Sequence, residues 1–461
     1  MIFQLEFNKN WFMQSSKEIS EYGEVISTSN FTPKGWFEVE IPTTVVNGLV
    51  ANNLYENPYY GINLKSIPGY KADITTQNFE SQYKPKDSPY RVSWWFRKEF
   101  KIENHNKNNQ YWIKFKGINY SANIWLNGKR IAGSDYVIGT YRIYDIRVTN
   151  FIKPEKNNVI ALEVFSPNPD DLSISFVDWS PLPPDDDMGI WQPIIFYSTG
   201  PVKLNNPFIE SKLDIKTLQE TELIISLSLV NTKEKRVKSI LKGKMETIEF
   251  QKSIELEPFE NKEIQITPEE FSQLKIQNPR IWWPYQWGEP ELYKIELDVF
   301  VNDQISDSTT IDFGIREIKS SINEHGSRIF SINGREFLAR GAAWTPDMML
   351  NQDERRDNYD IFLIKNLNFN VIRLEGKLAS DNFWDLCDKE GILVLPGWVC
   401  CSHWEKWKDW KQGDFVVGKK SLRSQLLRLR NHPSLIGWFY GSDFPPPVLV
   451  EKVYLEIFKN T

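Results

Sequence analysis

Through roughly the first 200 residues, apolar and polar positions alternate in short runs. Tyr111-Trp112-Ile113-Lys114-Phe115, Ala122-Asn123-Ile124-Trp125-Leu126 and Val159-Ile160-Ala161-Leu162-Glu163-Val164 are examples. A period of two puts every second side chain on one face, as half-buried strands require. Turn signals such as Asn127-Gly128 separate the runs. Many short strands with few helical periods predict a jelly-roll β-sandwich over residues 1–200. The segment from Asn52 to Lys86 is rich in Tyr, Asn and Pro, has no period, and reads as a long ordered loop.

Alternation continues over residues 201–317, in Leu223-Ile224-Ile225-Ser226-Leu227-Ser228-Leu229-Val230 and Tyr293-Lys294-Ile295-Glu296-Leu297-Asp298-Val299. A segment of this length and pattern predicts an immunoglobulin-like β-sandwich. From about 318 the period changes to strand–helix repeats. Strands are expected at Phe337 to Ala343, Asn370 to Glu375, Ile392 to Leu395 and Leu435 to Tyr440. Helices are expected around Tyr359 to Leu367, from Ser380 as N-cap to Gly391 as stop, and across Leu422, Leu426 and Leu429. Strands spaced by helices pair in parallel. Residues 318–461 thus read as the first half of a (β/α)8 TIM barrel.

The net charge of −6 argues against a nucleic-acid partner held by phosphate neutralisation. No apolar run reaches the ~18 residues of a membrane span, and the N-terminus has no signal-peptide pattern, so a cytoplasmic location is expected. Three cysteines, two of them adjacent (Cys400, Cys401), read as reduced thiols, and four scattered histidines offer no metal-ligand spacing. No metal and no cofactor is expected. The 18 Trp suit both sandwich cores and the stacking of sugar rings.

Three acids fall just past the strand ends: Asp347, Glu375 and Asp443. Parallel strands of one barrel aim those ends at one mouth. A converging carboxylic acid and carboxylate are what glycoside hydrolysis needs. Trp438, Phe439, Tyr440 and Phe444 are expected to desolvate Asp443 and favour its protonated form. Glu375 has a local alternative, an ion pair with Arg373 or Lys377.

Several motifs carry a family resemblance. Leu429-Arg430-Asn431-His432-Pro433-Ser434 with Tyr440-Gly441-Ser442-Asp443 resembles the acid-bearing strand of glycoside hydrolase family 2. Within it, the match is to the exo-β-D-glucosaminidase branch, relatives of the β-mannosidases. Ser88 to Arg97, Trp125 to Lys129, Trp282-Trp283-Pro284 and Phe313-Gly314-Ile315-Arg316 resemble that family's two β domains. The resemblance implies that Asp443 is the general acid/base and that Ser442-Asp443 stands where most members carry Asn-Glu. It implies that Glu375, Asp347 and Ser442 bind a 2-amino sugar. A neutral mannose would leave those acids unpaired. Phe176 to Pro181 resembles a loop sent into the barrel mouth, which makes Asp178 and Trp179 substrate contacts. Trp398, in Pro396 to Cys401, and Tyr440 are read as pocket walls.

The family's nucleophilic Glu lies on the seventh barrel strand, and nothing before Thr461 matches its motif. The resemblance therefore implies an amino-sugar oligosaccharide substrate and a chain inactive by itself. A second polypeptide would complete the barrel. The alternatives are a non-catalytic sugar-binding or scaffold fragment and a β-mannosidase-like specificity.

Overall fold

The computed structural model describes residues 2–70, 84–103, 105–174, 177 and 179–461. Asp178 and residues 71–83 of the expected long loop lie outside these.

Two antiparallel sheets, of four and six strands, occupy the N-terminal part. Alternation explains the packing. Trp11 and Met13 from one strand, Phe96, Ile160 and Leu162 from its sheet neighbours, and Ile113, Phe115 and Phe196 from the other sheet meet in one buried core. The last strand of this part is Ile194–Thr199 and the next begins at Val202. A second pair of antiparallel sheets follows, built from strands between Val202 and Phe313, with Leu227, Leu229, Leu241, Ile295 and Leu297 in its core.

A three-stranded antiparallel meander, Ile318–Ile322, Arg328–Ile332 and Arg335–Phe337, comes next. Phe337 belongs to it, which corrects the expected first strand. The first parallel strand is Gly341–Trp344, paired to Val371–Leu374 and through it to Leu393–Leu395. Helices Glu354–Asn366, Asp381–Glu390, Gln412–Leu429 and Val448–Asn460 alternate with these strands. Ser380 caps the second of these helices by accepting from Phe383 N, and Gly391 ends it at φ +66°. A Cβ at Gly391 would also meet Tyr285 N at 2.6 Å, so only glycine fits both conditions.

The expected fourth strand is reduced to a single parallel bridge, Val394 to Leu435. Its backbone follows the third strand through Val394 N to Ser434 O (2.8 Å), Ile436 N to Val394 O (3.1 Å) and Phe439 N to Pro396 O (2.8 Å). Only one neighbouring strand holds it among the described residues, so no regular ladder forms. Arg316 compensates from the second β part. Its Nε donates to Pro433 O (2.8 Å) and its Nη2 to Leu435 O (2.6 Å). Burial lowers the Arg316 pKa to about 10, with Asp388 opposing, so the guanidinium stays charged at neutral pH.

The Asn431-His432-Pro433-Ser434 motif is a clamp at the same junction. Asn431 accepts from Ile209 N and donates to Pro207 O, His432 Nδ1 bonds Asp388 Oδ2 at 2.6 Å, and Ser434 N donates to Asp388 Oδ1. Asp385, Asp388 and His432 bring potential ligand atoms within 4.8 Å of one another, but the Asp388–His432 bond already occupies the pair.

The first β part docks on the parallel sheet through a buried acid cluster. Lys377 Nζ meets Asp187 Oδ2 at 2.9 Å with both side chains essentially inaccessible. Asp185 accepts from Val46 N (2.7 Å) and Asp187 N (3.1 Å). Burial, and then the Asp187 charge, raise the Asp185 pKa to about 7. Unfolded, an aspartate titrates at about 3.9. Between those values the folded chain holds more proton here than the unfolded chain, so stability from this group falls as pH rises from about 4 to about 7. Urea midpoints of the wild-type chain are expected to drop across that window. Asp185→Asn, which keeps the acceptor for Val46, is expected to flatten the slope.

Candidate active site

The C-terminal ends of the three parallel strands lie on one edge of their sheet. Glu375 follows the second strand. Its Oε2 accepts from Trp179 Nε1 (3.2 Å), and its Oε1 lies 3.6 Å from Arg373 Nη1 and 3.9 Å from Cys400 Sγ. Trp179 is half exposed and reaches Glu375 from the first β part, as expected of the loop that carries it. The local alternative for Glu375 is also realised in part: Arg373 is its cation, while Lys377 turns to Asp187.

Arg373 links the second strand to the fourth. Its Nη2 donates to Ser442 Oγ at 2.9 Å, and its guanidinium sits over the Phe439 ring at 5.2 Å. Ser442 and Glu375 are thus held by one side chain. Asp443 follows directly, and its backbone N–H donates to Glu405 Oε1 at 3.0 Å. The expectation that aromatic neighbours bury Asp443 is corrected. Asp443, Phe439 and Phe444 are exposed, because Trp438 and Tyr440 turn instead toward the following helix.

Asp347 lies past the first strand and is buried. It accepts from Tyr59 OH (2.7 Å), Met349 N (2.9 Å), Asn351 N (3.1 Å) and Arg356 Nη1 (2.8 Å). It is therefore not an unpaired acid awaiting an ammonium, since Arg356, one helical turn into the next element, already supplies the charge. Burial and the Asp347 charge push the Tyr59 hydroxyl up, so it stays a donor. A cleft of about 860 Å³ opens beside Asp347, walled by Tyr59, Lys65, Trp179, Thr345 and Arg356. Trp179 both lines this cleft and bonds Glu375.

Two expected pocket walls are packing residues. Trp398 is buried, stacked on Tyr141 at 4.4 Å and edge-on to Trp404 and Trp438. Tyr440 donates to Glu451 Oε1 at 3.2 Å and packs on Tyr454 and Phe458. The hydrogen bond with Cys401 and burial push the Cys400 thiol up, against thiolate chemistry. Glu405 is the residue that sequence reasoning missed. It sits in a short turn and no motif marks it.

These elements define a sugar-hydrolase architecture, and comparison with known proteins gives its family. Residues 11–175 match the model "Glycosyl hydrolase 2 galactose-binding domain-like" and residues 202–316 match "Glycosyl hydrolases family 2". Together they span more than half of the chain, which belongs to glycoside hydrolase family 2. More particularly, it is 31% identical over 455 residues to an exo-beta-D-glucosaminidase of Streptomyces avermitilis, covering 97% of this chain and 48% of that protein. It is 30% identical to the enzyme of that name from Amycolatopsis orientalis, covering 97% and 42%. A mannosylglycoprotein endo-beta-mannosidase of Lilium longiflorum is 27% identical, covering 95% and 48%. The crystal structure of the Amycolatopsis orientalis exo-chitosanase CsxA superposes with a TM-score of 0.90 at 28% identity, over 99% of this chain and 51% of that one. The chain spans about half the length of the curated relatives it matches. No described helix is long and apolar enough to cross a membrane.

Proposed function

We propose that this chain supplies the acid-donating and amine-binding side of a retaining exo-β-D-glucosaminidase site, which releases non-reducing-end glucosamine from chitosan oligosaccharides. In this reading residues 1–200 form a jelly-roll domain, 201–317 an immunoglobulin-like domain and 318–461 the first half of a (β/α)8 barrel. Asp443 protonates the leaving oxygen. A Glu from outside these residues attacks the anomeric carbon, and water then completes hydrolysis with retention.

The observation that carries the reading is the Arg373 bridge, which holds Glu375 and Ser442-Asp443 at one mouth. That mouth carries Glu375, Glu405 and Asp443 against a single guanidinium, an excess of negative charge suited to a cationic amino sugar. The first strand supports the need for further barrel strands. Gly341, Ala342 and Ala343 are exposed, and only one strand edge is paired among the described residues. A reducing, cytoplasmic setting fits three free cysteines.

Turnover of p-nitrophenyl β-D-glucosaminide and β-D-mannoside tests this, with the chain alone and with the polypeptide that completes the barrel. The expected result is no turnover alone and glucosaminide hydrolysis when complemented. Turnover by the chain alone would contradict the divided site, and mannoside preference would favour the β-mannosidase-like reading. The exposure of Asp443 favours a second reading, a non-catalytic sugar-binding fragment. That reading predicts ligand binding and no turnover in either setting.

A further inference from the structure

We infer that Glu405 is a positioning residue that aims Asp443, acting through the backbone of the loop that carries the acid; this rests on the reading of Asp443 as proton donor. One carboxylate gathers three backbone N–H groups from two separate loops. Oε1 accepts from Ser442 N (2.8 Å) and Asp443 N (3.0 Å), and Oε2 accepts from Cys401 N (3.1 Å).

The need for it follows from the weak fourth strand. The last strand-like bond there is Phe439 N to Pro396 O, so the N–H groups of Ser442 and Asp443 lie beyond any backbone partner. In a regular ladder a neighbouring strand would accept them. Here a side-chain anion does so, with bonds stronger than neutral ones. The contact has a mechanical base. Glu405 sits in the turn His403–Glu405, whose Trp404 is fully buried and donates to Ser173 O at 2.8 Å. Trp410 Nε1 donates to His403 O at 2.8 Å and ties the same turn down. Rigid elements on both sides therefore meet at Glu405. Gly397 permits the close approach of the third and fourth segments, since a Cβ there would fall 2.3 Å from Phe439 O. From Ser442 the restraint continues into the side chains, because the Ser442 hydroxyl accepts from Arg373, the partner of Glu375. Glu405 thus sets the spacing of acid and amine-binding carboxylate without touching substrate.

Two readouts separate positioning from general structural support. In the chain itself, Glu405→Ala is expected to raise amide exchange at least about tenfold in peptides spanning 438–447, with helix 381–390 unchanged. In the complemented enzyme it should lower kcat on chitosan oligosaccharide about 100-fold, the scale of a displaced general acid. Turnover of 2,4-dinitrophenyl β-D-glucosaminide, whose leaving group departs without a proton, should stay within about threefold. KM should be unchanged on both. Glu405→Gln, which keeps one acceptor oxygen, should recover part of both effects and guards against misfolding of the alanine variant. Equal loss on the two substrates, or unchanged exchange at 438–447, would overturn the inference. If the unaltered complemented enzyme turns over neither substrate, the proposed function fails, while the exchange result still decides whether Glu405 holds the loop.

Discussion

Lys377→Met is expected to destabilise the chain by about 3–5 kcal/mol near neutral pH, the cost of leaving a buried charge without its partner. The Lys377–Asp187 pair joins the first β part to the segment just past the second parallel strand, with exposures of 2% and 0%. Asp187 Oδ1 has no donor among the described residues, so the ammonium is the main compensation for that charge. Burial raises the Asp187 pKa to about 6 even with Lys377 opposing it. Without the lysine, Asp187 takes up a proton more readily, so the deficit is expected to shrink as pH falls from 8 toward 5. Urea denaturation at both pH values checks this. Lys377→Met combined with Asp187→Leu should recover most of the loss, because an apolar pair leaves no charge to desolvate. The same junction positions Trp179 over Glu375, so activity of a complemented enzyme should fall with it.

Asp443→Ala is expected to slow hydrolysis of chitosan oligosaccharide about 10²–10⁴-fold in the complemented enzyme, the range for removing a general acid. The effect on 2,4-dinitrophenyl β-D-glucosaminide should be far smaller in the first step, since that leaving group needs no proton. The folded chain should keep its stability, because the Asp443 side chain is exposed and its backbone N–H still reaches Glu405. A comparison of kcat across leaving groups, with urea midpoints alongside, separates loss of chemistry from loss of fold.

Elements governed by local rules were legible in the sequence. The helix from Ser380 to Gly391 begins and ends where its cap residues stand, because Ser accepts an orphan N–H and Gly takes the left-handed turn. The second and third parallel strands also fall where the apolar runs do. The meander was missed although Asn333-Gly334, both at positive φ, marks its second turn. Phe337 was read forward into the next strand instead. The fourth strand was over-read because Leu435 to Tyr440 has the composition of a buried strand but only one neighbour to pair with. Asp347 was read correctly as lying at a strand tip, but its partners Tyr59 and Arg356 come from an irregular loop and the next helix. Glu405, Arg316 and the Lys377–Asp187 pair were invisible for the same reason. Their partners lie 37 and 38 residues away for Glu405, 117 and 119 for Arg316, and 190 for Lys377, and no local pattern encodes such contacts.

The account stands on Asp443 acting as the proton donor at a mouth shared with Glu375. The most direct measurement gives complemented Asp443→Ala enzyme 2,4-dinitrophenyl β-D-glucosaminide and azide, with the product configuration read by NMR. Faster turnover and a β-glucosaminyl azide are predicted, since the small anion enters the space that the carboxylate leaves and attacks the covalent intermediate from the same face. No azide acceleration, or an azide product of α configuration, would contradict it.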